Sequence, residues 1–179
     1  MPSNYSSSYC QHCPYCKTKH LSGSIQRLPL NAEVRGKSIL LVFQAPGENE
    51  WTGNGGKNNP APIISNNYRS AAARLRNSFK RIQKTRMDYD ITEVVQCYPG
   101  KNANKRDRRP SAIAISQCSN HLAADIQNHA YSKIISFGVI ANQAVDDIIR
   151  KRNISVTHIK LPHPSSGKLS NSVLDSNLK

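Results

Sequence analysis

Leu40-Leu41-Val42-Phe43-Gln44-Ala45-Pro46-Gly47-Glu48-Asn49-Glu50-Trp51-Thr52-Gly53 is an apolar run that stops abruptly in a turn carrying two carboxylates and the only tryptophan. Branched and aromatic residues followed by Pro-Gly predict a buried strand ending in a tight turn. In an open α/β sheet, polar groups just beyond a strand's carboxyl end are where sites are built. The stretch therefore reads as an active-site loop. Alone it would equally suit an ordinary strand ending in an acidic surface turn, so its neighbours decide the matter.

Working outward, the first strand spans about Ile39–Phe43, and residues 1–9 read as a disordered tail. Asn54–Pro62 is rich in Gly, Asn and Pro and predicts a loop. A helix is expected from about Asn66, with Leu75, Phe79 and Ile82 on one face. Strand two is read as Ile91–Tyr98, followed by a basic loop over Pro99–Pro110. Ser111 should cap a helix bearing Ile115, Leu122 and Ile126. Lys133–Phe137 is strand three, Gly138 turns into a helix with Ile140, Ala144, Ile148 and Ile149, and strand four is about Ile154–Leu161. Strands alternating with helices imply right-handed crossovers and a parallel sheet covered on both faces, the α/β class. Polar residues then gather at one sheet edge: Gln44 and Glu48, Glu93 and Gln96, and His163.

Length and composition bound the function. The 179 residues suit a single domain over residues 10–179. No apolar run reaches membrane-spanning length and the amino terminus lacks a signal-peptide pattern, which predicts a soluble, cytoplasmic protein, expected to be a monomer. Lys and Arg number 25 against 11 acidic residues, a net charge of +14. The excess comes in blocks: Lys80-Arg81 with Lys84 and Arg86, then Lys101, Lys105-Arg106 and Arg108-Arg109, then Arg150-Lys151-Arg152. Charge arranged this way at element ends points to nucleic acid, because neutralised phosphates release counterions. A merely solubilising excess is the plainer reading.

Five cysteines are an odd number for a chain without a secretion signal, which favours metal ligation over disulfides. Cys10-Gln11-His12-Cys13-Pro14-Tyr15-Cys16 contains two overlapping CxxC units. Either pair supplies half of a four-thiolate site, with Cys97 and Cys118 as the other half, for zinc or an iron-sulfur cluster. Singly, Cys97 and Cys118 would pass for small buried hydrophobes.

Taken in order, CxxC, the strand ending in APGE…TG, ITxVVxC, a cysteine in the next helix, IISFG and HPS resemble the uracil-DNA glycosylase superfamily, specifically its iron-sulfur branch (family 4), over about Cys13–Leu169. The resemblance implies a three-layer α/β/α fold around a four-stranded parallel sheet, with a base flipped from DNA into a pocket at the strand ends. It implies a structural four-iron, four-sulfur cluster on Cys13, Cys16, Cys97 and Cys118, with residues 10–36 as the cluster-binding segment and Cys10 spare. His163 matches the histidine that stabilises the departing base. Glu48 or Glu50 would orient water, Ser165 and Ser166 would pinch phosphates, and Leu169, after Lys168, would wedge into the gap left by the flipped nucleotide. Lys101, Lys105, Arg106, Arg108 and Arg109 are the candidate DNA contacts.

Three departures bear on the base. The family's GE(A/G)PG is here Phe43-Gln44-Ala45-Pro46-Gly47, replacing a carboxylate by an amide. Glu93 stands where the family reads uracil with asparagine; an ionised glutamate only accepts, which suits the amino group of cytosine. Asn54-Gly55-Gly56-Lys57 replaces the family's stacking aromatic, leaving Trp51, with Gln44, Ala45 and Glu93, to hold the base. These changes point to a 5-modified cytosine, hydroxymethylated or glucosylated, as in certain phage DNAs, and to an antiviral role. The alternatives are a repair uracil-DNA glycosylase and a non-catalytic, zinc-stapled nucleic-acid-binding module.

Overall fold

The computed structural model describes residues 13–15, 32–48 and 71–179. Cys10, Cys16, Glu50, Trp51 and the expected tail lie outside the described residues. In chain order the elements are β1 (Ile39–Phe43), α1 (Ala71–Arg81), a 3-10 turn (Arg86–Asp88), β2 (Asp90–Glu93), α2 (Ala112–Gln127), β3 (Lys133–Phe137), α3 (Val139–Arg152), β4 (Thr157–Leu161) and α4 (Asn171–Leu178).

The four strands are parallel in the order β2-β1-β3-β4. As a central strand β1 needs an apolar side chain on both faces, which is why Leu40, Leu41 and Val42 are consecutive and fully buried. Each such side chain contributes roughly 1.5–3 kcal/mol relative to exposure. Alternation sends Leu40, Val42 and Ile134 to one face, where they meet Ala114 and Leu122 of α2 and Ala141 and Val145 of α3. Leu41, Ile135 and Phe137 point to the other, against Phe79 of α1 and Leu174 and Leu178 of α4. The expected three-layer α/β/α architecture is the observed one.

Both sheet edges are protected. Beside β2, Glu33 forms an isolated antiparallel bridge to Ile91, its N–H donating to Ile91 O at 2.7 Å. The other edge, β4, presents exposed Thr157 and Lys160, polar residues that discourage pairing with another chain.

Several boundaries shift from expectation. Strand two begins at Asp90 and ends at Glu93 instead of reaching Tyr98, although Val94 and Val95 N–H still donate to Phe43 O and Gln44 O at 2.8 and 3.1 Å. Strand four begins at Thr157, not near Ile154. Within the described residues α1 begins at Ala71, and Phe79 of its expected face is buried with Leu75 and Ile82 packed beside it. Ser111 caps α2 as expected, its hydroxyl accepting from Ala114 N–H at 3.2 Å. Helix α4 was not anticipated. Tyr89 ties it down by donating to Leu178 O at 2.6 Å.

Candidate active site

The chain steps leftward from β1 to β2 and rightward from β2 to β3 and β4, so the crevice at the strands' carboxyl ends is a topological switch point. A cleft of about 1250 Å³ opens there. Gln44, Ala45 and Glu48 enter it from the turn after β1, Glu93 from the end of β2, and His163 and Ser165 from the loop after β4. Phe43 also faces the cleft, its ring stacked on Phe137 at 4.8 Å and 6°. The strand register places Phe43 beside Glu93. Gln96, expected at this edge, is instead buried at 2% exposure and lies off the cleft.

His163 is held in one protonation pattern. Ser165 N–H donates to Nδ1 at 3.3 Å, and the Ser165 hydroxyl lies 2.7 Å from the same nitrogen. A backbone amide can only donate, so Nδ1 accepts, and the neutral ring carries its proton on Nε2. Burial pulls the imidazole below its ordinary value of 6.5, opposed in part by the nearby charge of Asp107. The result is a neutral ring with an N–H to offer. Behind it, Gly138 has φ +90°, and a Cβ there would meet His163 Cβ at 3.4 Å. Glycine is required there by the positive φ of the turn into α3; the Cβ contact with His163 would be an ordinary one.

The cleft is otherwise ringed with cations. Lys101, Lys105, Arg106 and Arg108 line one side, and Arg76, Lys80 and Lys84 of the α1 region line another. Arg109 is exposed on the same loop but outside the lining. The basic loop folds as a hairpin, with Lys101 bridged to Asp107 and Asn102 Oδ1 accepting from Asn104 and Arg106 N–H, both at 3.0 Å. Lys101 forms an ion pair with Glu48 Oε2 across the opening, and this bond holds its ammonium above the usual lysine value. The carboxylate expected to orient water therefore arrives with a cation attached.

The family description "Uracil DNA glycosylase superfamily" matches residues 34–172, from just before β1 to the first turn of α4. The chain belongs to the uracil-DNA glycosylase superfamily. No curated protein matches the chain. In this member of the superfamily the cleft brings Gln44, Glu48, Glu93, His163 and Ser165 together. Ser166 serves the loop's own backbone, its N–H donating to His163 O at 2.8 Å and its hydroxyl accepting from Lys168 N–H at 3.2 Å. Leu169 corrects an expectation: at 3% exposure it packs with Leu174 and Leu178, so it does not stand ready as a wedge. Lys168 is the exposed residue beside it.

Three of the four expected thiol ligands of this superfamily member, Cys13, Cys97 and Cys118, are buried and free of disulfides. Tyr15 packs against the clusters containing all three, and its hydroxyl accepts from Ser111 N–H at 2.8 Å, pinning the amino-terminal segment to the start of α2. Among the described residues no three metal-ligating side chains form a closed group, and Cys16 lies outside them.

Two site residues escaped sequence reasoning. Asp107 lies in a run of basic residues and was not singled out, yet it lines the cleft and accepts from buried Tyr98 OH at 2.9 Å. Phe43 belongs to the stretch read as the active-site loop but was assigned no role of its own there. Its place immediately before the turn was the available signal.

Proposed function

We propose that the protein is a DNA glycosylase that hydrolyses the N-glycosidic bond of a flipped base, and that its favoured substrate is a 5-hydroxymethylated or glucosylated cytosine in phage DNA, giving it an antiviral role. The observation that carries the reading is the pairing, in one cation-rimmed cleft, of a neutral His163 with an acceptor, Glu93, at the end of β2. As the bond from the sugar C1′ to the base nitrogen breaks, its electron pair leaves with the base. The His163 Nε2–H then donates to the base oxygen where that charge collects. Water adds to C1′ and gives up a proton, leaving an abasic site and the free base.

Gln44 can orient that water but cannot take its proton, so Glu48 or Glu50 serves as acceptor. Lys101 occupies Oε2 of Glu48, which makes Oε1 the atom for this work. Phe43, backed by Phe137, offers a face for the base to stack on. Glu93 accepts from a cytosine amino group and repels the O4 of uracil. A cleft of about 1250 Å³ is large enough to admit a flipped base. Flanking Lys and Arg side chains would neutralise phosphates.

Cys13, Cys16, Cys97 and Cys118 would hold a four-iron, four-sulfur cluster, with zinc as the alternative. Three buried thiols around one tyrosine suit such a group. Bound there, it would staple the amino terminus to the segment between Cys97 and Cys118, a structural role. Iron and acid-labile sulfide in the anaerobically purified protein are the expected result, and stoichiometric zinc without sulfide would refute the cluster.

The substrate is tested with oligonucleotides carrying uracil, cytosine, hydroxymethylcytosine or glucosylated hydroxymethylcytosine, scored for abasic sites. Cleavage confined to the modified cytosines is expected. Release of uracil alone would leave a repair glycosylase, and release of nothing would leave a binding module.

A further inference from the structure

The loop carrying His163 has no regular secondary structure between β4 and α4, yet the hydrogen bond to the catalytic ring requires its backbone to be fixed. One side chain meets it from α1. Arg74 Nη1 donates to Pro164 O at 2.6 Å and to Ser166 O at 3.0 Å. Its Nη2 donates to Leu169 O and, at 3.2 Å, to Asn171 Oδ1. Both terminal nitrogens thus spend their hydrogens on acceptors that begin one residue after His163 and end in the first turn of α4. Among the described residues no carboxylate is paired with this guanidinium.

That pattern is costly to assemble and specific in what it holds. Only the planar, five-donor fork of arginine reaches several carbonyls of one loop at once; an ammonium has three donors around a point. Arg81, on the same helix, meets a carboxylate, that of Asp175. Arg74 instead holds three backbone oxygens of the loop that carries His163.

We infer that Arg74 is the positioning residue of the site: it fixes the segment from Pro164 to Asn171 so that Ser165 N–H stays on His163 Nδ1 and the ring keeps its proton on Nε2. This inference rests on the glycosylase reading for its catalytic consequence, but not for its structural one. Without the guanidinium, three loop carbonyls turn toward solvent and Ser165 loses its fixed distance to the ring.

The test uses the full-length protein with Arg74→Gln and Arg74→Lys. Single-turnover base release by Arg74→Gln is expected to fall about 10²-fold, the scale of loss from a misplacement of about 1 Å, with affinity for uncleaved DNA within about threefold of wild type. Arg74→Lys should recover part of the rate. Nitrogen-15 spectra of the His163 ring should show the single Nε2–H form in wild type and a mixture of tautomers in Arg74→Gln. A wild-type rate, or a rate loss with an unchanged ring spectrum, would overturn the inference. If wild-type protein releases no base from any substrate, the glycosylase reading fails, while the ring spectra still decide the role of Arg74.

Discussion

Replacing His163 by Ala is expected to slow single-turnover base release by about 10²–10³-fold, the usual effect of losing one donor aimed at developing negative charge. DNA affinity should change little, because on the proposed reading the cations around the cleft, not the imidazole, would meet the phosphates. The same ring sets a pH signature. A donor that works as the neutral imidazole fails when Nδ1 protonates and gives up Ser165 N–H. Burial has moved that event below 6.5, with Asp107 only partly restoring it. The wild-type rate should therefore hold as the pH falls through 6.5 and decline only below it. A limb centred above 6.5 would mean that the working form is the imidazolium. The sign for stability is the same: a histidine with a depressed folded value contributes in full above 6.5, and that contribution is lost as the pH falls from 6.5 through the folded value. Burial also depresses His121 and His158, so melting temperature should decline over the same interval.

The parts of this molecule legible in its sequence are those set by local chemistry. Leu40-Leu41-Val42 without a polar break before Pro-Gly suited a strand covered on both faces, and Ser111 and Gly138 announced the helices that follow them. Glu93 was placed correctly at a strand end, but the strand was drawn too long because Val94 and Val95 continue its apolar pattern. Their amides do continue to bond β1, and what ends the strand is a bend, which apolar pattern does not encode. Helix α4 hid in a polar sequence, although Ser170 as its cap and the spacing of Leu174 and Leu178 were signals. Leu169 was read as a wedge from the family resemblance and its place after Lys168; its side chain joins the same buried group as those leucines. Residues that act through distant partners were the least legible. Arg74 bonds carbonyls at least 90 positions away, and Glu48 meets a lysine whose place depends on a folded hairpin. Backbone acceptors carry no residue type, so no motif could have identified the first.

Exchanging Glu93 for Asn should invert the substrate preference. Glu93 lines the cleft in register with Phe43, so the edge of a base stacked on that ring would face its carboxylate. Cytosine and its 5-modified forms present an amino donor and a ring-nitrogen acceptor, whereas uracil presents a carbonyl and an N–H. An ionised carboxylate pairs with the amino group and leaves uracil's O4 against a negative charge. The asparagine amide offers both a donor and an acceptor, matching uracil. Sites that hydrogen-bond a substrate reject an analogue that leaves their polar groups unpaired by as much as about 10⁴-fold. The ratio of rates on glucosylated hydroxymethylcytosine to uracil is therefore expected to fall by at least about 10²-fold in Glu93→Asn, chiefly through gained uracil release. Measured beside it, Glu93→Gln should fall between the two, because its amide can donate but its longer side chain keeps the carbonyl near the position of the lost carboxylate. An unchanged ratio in both variants would move base discrimination away from β2, to the turn after β1. Loss of all activity in Glu93→Asn with melting temperature intact would instead make Glu93 part of the chemistry, an acceptor for water and not a reader of the base.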